Sequence, residues 1–218
     1  AIPTRAAAEP RDVAGTAWSL AALPVRDQPL RDAISSASLS RMTEFAARDL
    51  AKLAWSLARR GVHDPPLLEA IAAAASPRIT DFAAQQLAST AWSFATLAVG
   101  HRPLLYALSS ASMPTIRPCG QRPLANTAWS FATLALTDEP LLAAIASAAI
   151  TIITEFSVQG LSNLAWSVSR RSVRHPPLRD ALAAQALISL TEVRELRAQN
   201  LSNIAWSFSA IRISNRPL

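Results

Sequence analysis

Leu124-Ala125-Asn126-Thr127-Ala128-Trp129-Ser130-Phe131-Ala132-Thr133-Leu134-Ala135 is the passage from which the architecture of this 218-residue chain can be read. Its central Ala-Trp-Ser recurs at Ala17-Trp18-Ser19, Ala54-Trp55-Ser56, Ala91-Trp92-Ser93, Ala165-Trp166-Ser167 and Ala205-Trp206-Ser207. The first four Trp-to-Trp intervals are 37 residues and the last, Trp166 to Trp206, is 40. Such a period marks an array of supersecondary units, each unable to bury its apolar face alone.

Each unit reads as two helices. In the second, Leu50, Ala51, Ala54, Trp55, Leu57 and Ala58 recur at helical spacing and place helix A over about Ala47–Arg60. Gly61, and Gly100 as its equivalent, are expected to stop helix A. Helix B then opens on Asp27-Gln28-Pro29-Leu30, Asp64-Pro65-Pro66-Leu67, Arg102-Pro103-Leu104, Glu139-Pro140-Leu141 and Pro176-Pro177-Leu178. Proline is tolerated in a first turn because that N–H has no partner within the helix. Asp27, Asp64 and Asp138 are placed to cap the same ends. Helix B is expected to end near Ser40, Ser76 and Ser112, and the three extra residues of the fifth unit fall between Ala183 and Gln199, in the connector.

The pattern predicts an all-α fold, a right-handed-type α-solenoid of stacked helix pairs with a 37-residue repeat. The units run 12–48, 49–85, 86–122, 123–159, 160–199 and a partial 200–218, in a single array. The chain starts without Met and ends at Pro217-Leu218 inside an expected helix B, so it reads as a fragment of a longer protein.

Composition narrows the class. Half the residues are hydrophobic, Gly is scarce, and 21 basic residues face 15 acidic ones. Lys52 is the only Lys, and the rest of the basic residues are Arg, whose planar fork binds phosphate bidentately and stacks on bases. A genome rich in Arg codons accounts for that bias equally well. Cys119 is alone, which excludes an internal disulfide framework and points to a reducing compartment. The longest apolar stretch, around residues 141–153, is too short and Ala-rich to insert in a membrane.

The passage from Leu124 to Ala135, with the weaker versions at Leu161-Ser162-Asn163-Leu164-Ala165-Trp166 and Leu201-Ser202-Asn203-Ile204-Ala205-Trp206, resembles helix A of the octotricopeptide repeats. The 37-residue period is closer still to the related heptatricopeptide repeats. The resemblance covers nearly the whole chain. It implies a nuclear-encoded protein of a chloroplast or mitochondrion, soluble or held in a complex. Such proteins bind organellar RNA, single-stranded or ribosomal, and act on its stability, processing, translation or assembly into ribosomes. Unit three departs from the pattern: Arg117-Pro118-Cys119-Gly120-Gln121-Arg122-Pro123 replaces the Phe-containing lead-in to helix A, so the start or bend of that helix is expected to shift.

Counting from the residue five before each Trp, Leu in every unit but the first, where it is Val13, positions −2, 2, 6, 9 and 13 fall opposite the apolar face of helix A. The stripe reads Arg48, Lys52, Ser56, Arg59, His63 in the second unit and Gln85, Ser89, Ser93, Thr96, Gly100 in the third. It continues as Arg122, Asn126, Ser130, Thr133, Thr137, then Gln159, Asn163, Ser167, Arg170, Arg174, then Gln199, Asn203, Ser207, Ala210, Ser214. The first unit is poorer, with Arg11, Gly15, Ser19, Ala22 and Arg26. These side chains can donate to phosphate and 2′-OH groups or read base edges, and the recurring Ser would permit close approach. Position 2 varies, as a base-selecting position should. The pairs Arg59-Arg60 and Arg170-Arg171 suit phosphate, or equally a solvated helix C-terminus. Repeats also copy any polar face by descent.

The Trp residues read as packing between adjacent helices rather than as stacking platforms. His101 and His175 read as helix caps rather than metal ligands, and no phosphate loop, nucleophile elbow or paired-carboxylate motif is present, so neither a cofactor nor catalysis is expected. Two functions remain open. One is sequence-selective RNA binding along the helix A stripe. The other is a protein scaffold within a large organellar complex, docking through Ala70, Ala72, Ala73, Ala74, Ala143, Ala144, Ala146 and Ala148 of helix B.

Overall fold

The computed structural model describes residues 8–23, 27–170, 175–192 and residues 202, 205 and 206. The described residues contain no strand. Helices A are α1 (Pro10–Ala22), α3 (Ala47–Arg60), α5 (Ala84–Thr96), α7 (Gln121–Thr133) and α9 (Val158–Arg170). Helices B are α2 (Gln28–Ser40), α4 (Pro65–Ala75), α6 (Arg102–Ser112), α8 (Glu139–Thr151) and α10 (Pro176–Glu192). Short 3-10 segments at Met42–Glu44, Ser76–Asp81, Met113–Thr115 and Ile153–Glu155 lead from each even helix to the next odd one.

Packing follows the apolar pattern. Each odd helix lies against the next odd helix, α1 on α3, α3 on α5, α5 on α7 and α7 on α9, and each contacts its own even helix. Leu50, Leu87, Leu124 and Leu161 on the odd helices and Leu67, Leu104, Leu141 and Leu178 on the even ones are fully buried. Each such leucine contributes about 1.5–3 kcal/mol relative to an exposed one. The odd helices approach closely because their flanks carry small residues, Ala51 and Ala58, Ala88 and Ala95, Ala125 and Ala132, all buried.

The even helices start where their prolines predict. Asp27, Asp64 and Asp138 accept the backbone N–H of Leu30, Leu67 and Leu141 at 2.9, 3.1 and 3.0 Å. His101 and His175 cap in the same way, their Nδ1 atoms accepting from Leu104 and Leu178 at 3.1 and 3.2 Å. The second oxygen of an Asp cap also ties it to the preceding even helix. Ser35 donates to Asp64 Oδ2 at 2.6 Å, and Ser109 donates to Asp138 Oδ2. Where the cap is His, the residue at the Ser register is Ala72 or Ala146, which has nothing to donate.

Gly61 ends α3 with φ 63°, and Val62 N–H closes back on Leu57 O. One period later, however, the left-handed residue is not Gly100 but Ala98 (φ 55°), followed by Ala135 (φ 56°). The same backbone closure recurs there, from Val99 to Phe94 O and from Leu136 to Phe131 O. Two alanines thus accept a conformation that only glycine adopts without steric cost. Ala135→Gly should therefore raise stability by about 0.5–1 kcal/mol in urea unfolding, and Gly61→Ala should lower it by about 1 kcal/mol. A destabilised Ala135→Gly would contradict the assigned backbone.

Three other expectations are revised. The odd lead-in to the fourth helix A does not shift it, because Ala47, Ala84, Gln121 and Val158 start their helices one period apart. Pro123 sits in the first turn of α7, where its missing N–H costs nothing. Extra length in the fifth unit begins inside the helix, since α10 has 17 residues against 13 in α8. The alanines of the even helices are largely internal: Ala72, Ala146 and Ala148 are buried, Ala70, Ala74 and Ala144 half-buried, and only Ala73 and Ala143 of that set are exposed. The larger hydrophobics that the even helices expose are instead Leu39, Tyr106, Leu187 and Ile188.

Cys119 occupies the register that Phe45, Phe82 and Phe156 hold in the other connectors. Those rings are buried, whereas the smaller Cys119 is half-buried while Ile116 beside it is buried. Burial pushes the Cys119 thiol above the ordinary value. The thiolate is the nucleophile, so a raised pKa leaves less of it at neutral pH. Alkylation of the folded protein should be slower than in urea at pH 7, and should keep rising with pH after the unfolded chain has levelled off. Equal rates in both states would refute this.

Candidate nucleic-acid interface

An odd helix is flanked by two odd helices and backed by an even one, so only a narrow arc reaches solvent. At about 100° per residue, positions −2, 9 and 2 lie near 160°, 180° and 200° from the core-facing Leu. Arg48, Gln85, Arg122 and Gln159 at position −2 are exposed. Arg59, Thr96 and Arg170 at position 9 are exposed as well, while Thr133 is half-buried and its hydroxyl has no hydrogen-bond partner among the described residues. Lys52, Ser89, Asn126 and Asn163 at position 2 are half-buried at the edge of the arc.

Beyond the first unit, where Ser19 is exposed, position 6 does not belong to the surface. Ser56, Ser93, Ser130 and Ser167 are buried, each donating to the carbonyl four residues earlier, of Lys52, Ser89, Asn126 and Asn163, at 2.6–2.7 Å. A hydroxyl satisfied within its own turn can enter a helix interface without an unpaired polar group. These serines hold adjacent helices close rather than admitting a ligand. Arg60 also leaves the stripe: its Nη1 donates to Leu23 O at 3.2 Å, turning it back to the first repeat. Arg171, Arg174, Gln199 and Asn203 lie outside the described residues.

Trp moves the other way. Position 5 falls near 140°, on the same arc as position −2. Trp18 is 48% exposed and Trp206 50%, and Trp55, Trp92, Trp129 and Trp166 are half-buried. Trp18 and Trp55 have ring centroids 6.2 Å apart, tilted by 33°, and Arg170 Cζ lies 5.2 Å from the centre of the Trp166 ring. Trp92 packs against the core with one side, Trp55 lies against Trp18 of the preceding odd helix, and all share the outward arc.

Charge separates between the two sets of helices. The odd helices carry Arg11, Arg48, Lys52, Arg59, Arg60, Arg122 and Arg170 against Asp12 and Asp49. Asp49 is buried, with Oδ1 4.0 Å from Arg48 Nε. The even helices carry Arg31, Arg102 and Arg179 against Asp32, Glu69, Glu139, Asp180 and Glu192. Positions −2, 2, 5 and 9 hold no carboxylate in any of the five described odd helices. Among the described residues no cluster of His, Cys, Asp or Glu is arranged to hold a metal, and no helix is long and apolar enough to cross a membrane.

No curated protein matches the chain. A family model described as RNA-editing substrate-binding complex 6 protein matches residues 2–216. The expectation of a helical family associated with RNA holds at that level, under a different family name from the octotricopeptide and heptatricopeptide repeats. With the match spanning nearly its whole length, the chain belongs to the RNA-editing substrate-binding complex 6 protein family.

Proposed function

We propose that the chain is an RNA-binding subunit of an RNA-editing substrate-binding complex, working in an organelle as its octotricopeptide likeness implies. In this reading the stacked helix pairs form a right-handed-type α-solenoid, and a single RNA strand runs along the outward arc of the odd helices. The observation that carries it is the charge separation: a cationic, carboxylate-free arc on one layer and an acid-rich second layer. Such an arc attracts a polyanion and releases its counterions. Arg48, Lys52, Arg59, Arg122 and Arg170 supply the phosphate contacts, while Ser89, Asn126 and Asn163 select bases. No catalytic role is assigned.

Salt dependence tests this. A charged single strand should bind with an affinity that falls steeply as salt rises. The triple variant Arg48→Ala, Lys52→Ala, Arg59→Ala should flatten the slope of log K against log salt by about 2, at roughly 0.7 per lost phosphate contact on a single strand. Unchanged affinity and slope would remove the arc from consideration. Salt-insensitive retention on a protein of the complex, with no RNA crosslinks, would favour a scaffold instead.

A further inference from the structure

We propose that Trp92 and Trp129 are stacking platforms for two neighbouring bases of a single-stranded nucleic acid, an inference that rests on the RNA-binding reading above. The positions around them are occupied economically: Leu87, Ala91 and Phe94 on α5, and Leu124, Ala128 and Phe131 on α7, are buried almost completely. The indoles between them are not. A leucine would complete the same packing without leaving aromatic surface in water. Retention of Trp at one register in every repeat therefore leaves part of its surface unexplained by the fold.

The four half-buried indoles are not equivalent. Trp55 has Trp18 against it, with centroids 6.2 Å apart. Trp166 is covered by the guanidinium of Arg170, one turn further along α9. In α5 and α7 the residue one turn on is Thr96 or Thr133, too short to cover an indole. Neither Trp92 nor Trp129 has a ring or cation partner among the described residues. The two open indoles are thus the central pair, on helices that pack directly against each other.

Their surroundings select the ligand. From Leu87 to Leu97 and from Leu124 to Leu134 the helices differ only at Ser89 against Asn126, with Gln85 against Arg122 just before. Two adjacent units therefore present the same aromatic group beside different hydrogen-bonding groups on the outward arc. A π-face accepts any base, and the polar neighbour discriminates among them. A duplex hides its base faces, so this arrangement suits a single strand. The absence of carboxylates on the arc favours a polyanion over an acidic or neutral peptide.

The test uses the whole chain, with oligouridylate and oligoadenylate as probes. Indole emission should be quenched on binding. Trp92→Leu and Trp129→Leu should each weaken binding by about tenfold, within the range that one base stacked on an aromatic ring contributes. That loss should be the same in low and high salt, unlike the loss from the arginine variants. Trp92→Phe and Trp129→Phe should keep most of the affinity, which separates stacking from a packing defect. If the chain binds RNA with unquenched emission and the leucine variants bind as the parent does, the platforms are wrong and the cationic arc stands. If the unmodified chain binds neither oligonucleotide in low salt, the RNA-binding reading itself fails, and this site with it.

Discussion

Replacing Phe131 with alanine is expected to lower the unfolding free energy by about 3–5 kcal/mol, the range for deleting a buried ring from a packed core. Phe131 lies at position 7 of α7, is 2% exposed, and faces inward with Leu124 and Ala128. The surrounding side chains sit on helices fixed by their own neighbours, so they can collapse into the void only partly. Because α7 touches chiefly α5, α8 and α9, the damage should be local. Urea unfolding should then either shift as a whole or split into two steps, as expected of a chain of nearest-neighbour contacts. The reading would be undone by a loss below about 1 kcal/mol, which is the size expected of an exposed position.

The second large effect comes from a small residue. Ser93→Leu should destabilise by about 1–3 kcal/mol, because Ser93 is fully buried and the extra atoms must push neighbouring odd helices apart. Ser93→Ala should stay within about 0.5 kcal/mol of the parent. The hydroxyl bonds only to Ser89 O in its own helix, and alanine restores helix propensity. Comparing the two by thermal or urea unfolding separates size from hydrogen bonding. If alanine were as damaging as leucine, the hydroxyl rather than close packing would be the conserved requirement of the repeat.

The family match and the charge separation bear on different questions. The match places the chain in the RNA-editing substrate-binding complex 6 protein family. The cationic arc is where the proposed reading would lay a nucleic acid. Arg48, Arg59, Arg122 and Arg170 reach it from two register positions on three helices, so loss of any one should weaken binding only partly.

Much of the fold was legible in residue order alone. Helix starts follow from local chemistry: proline tolerated in a first turn, and Asp27, Asp64, Asp138, His101 or His175 accepting the N–H three residues on. Each of these depends on a few adjacent residues, so a 37-residue register carries them from one unit to the next. The left-handed stop was legible only at Gly61, since Ala98 and Ala135 take the same backbone with a residue that does not advertise it.

Which side chains reach solvent was decided by the tertiary structure. A helical wheel states the angle of a residue on its own helix, and by angle alone Ser56, Ser93, Ser130 and Ser167 point away from the core. The wheel does not state how many neighbours flank that helix. With odd helices on both sides, the open arc narrows to roughly 60°, and position 6 falls inside a contact while Trp at position 5 falls at the edge of the opening. Sequence alone determined the repeat, the helix pair and its capping chemistry. Only the stacking of one odd helix on the next decided that serine would be interior and that tryptophan would sit half-buried at the edge of the open arc.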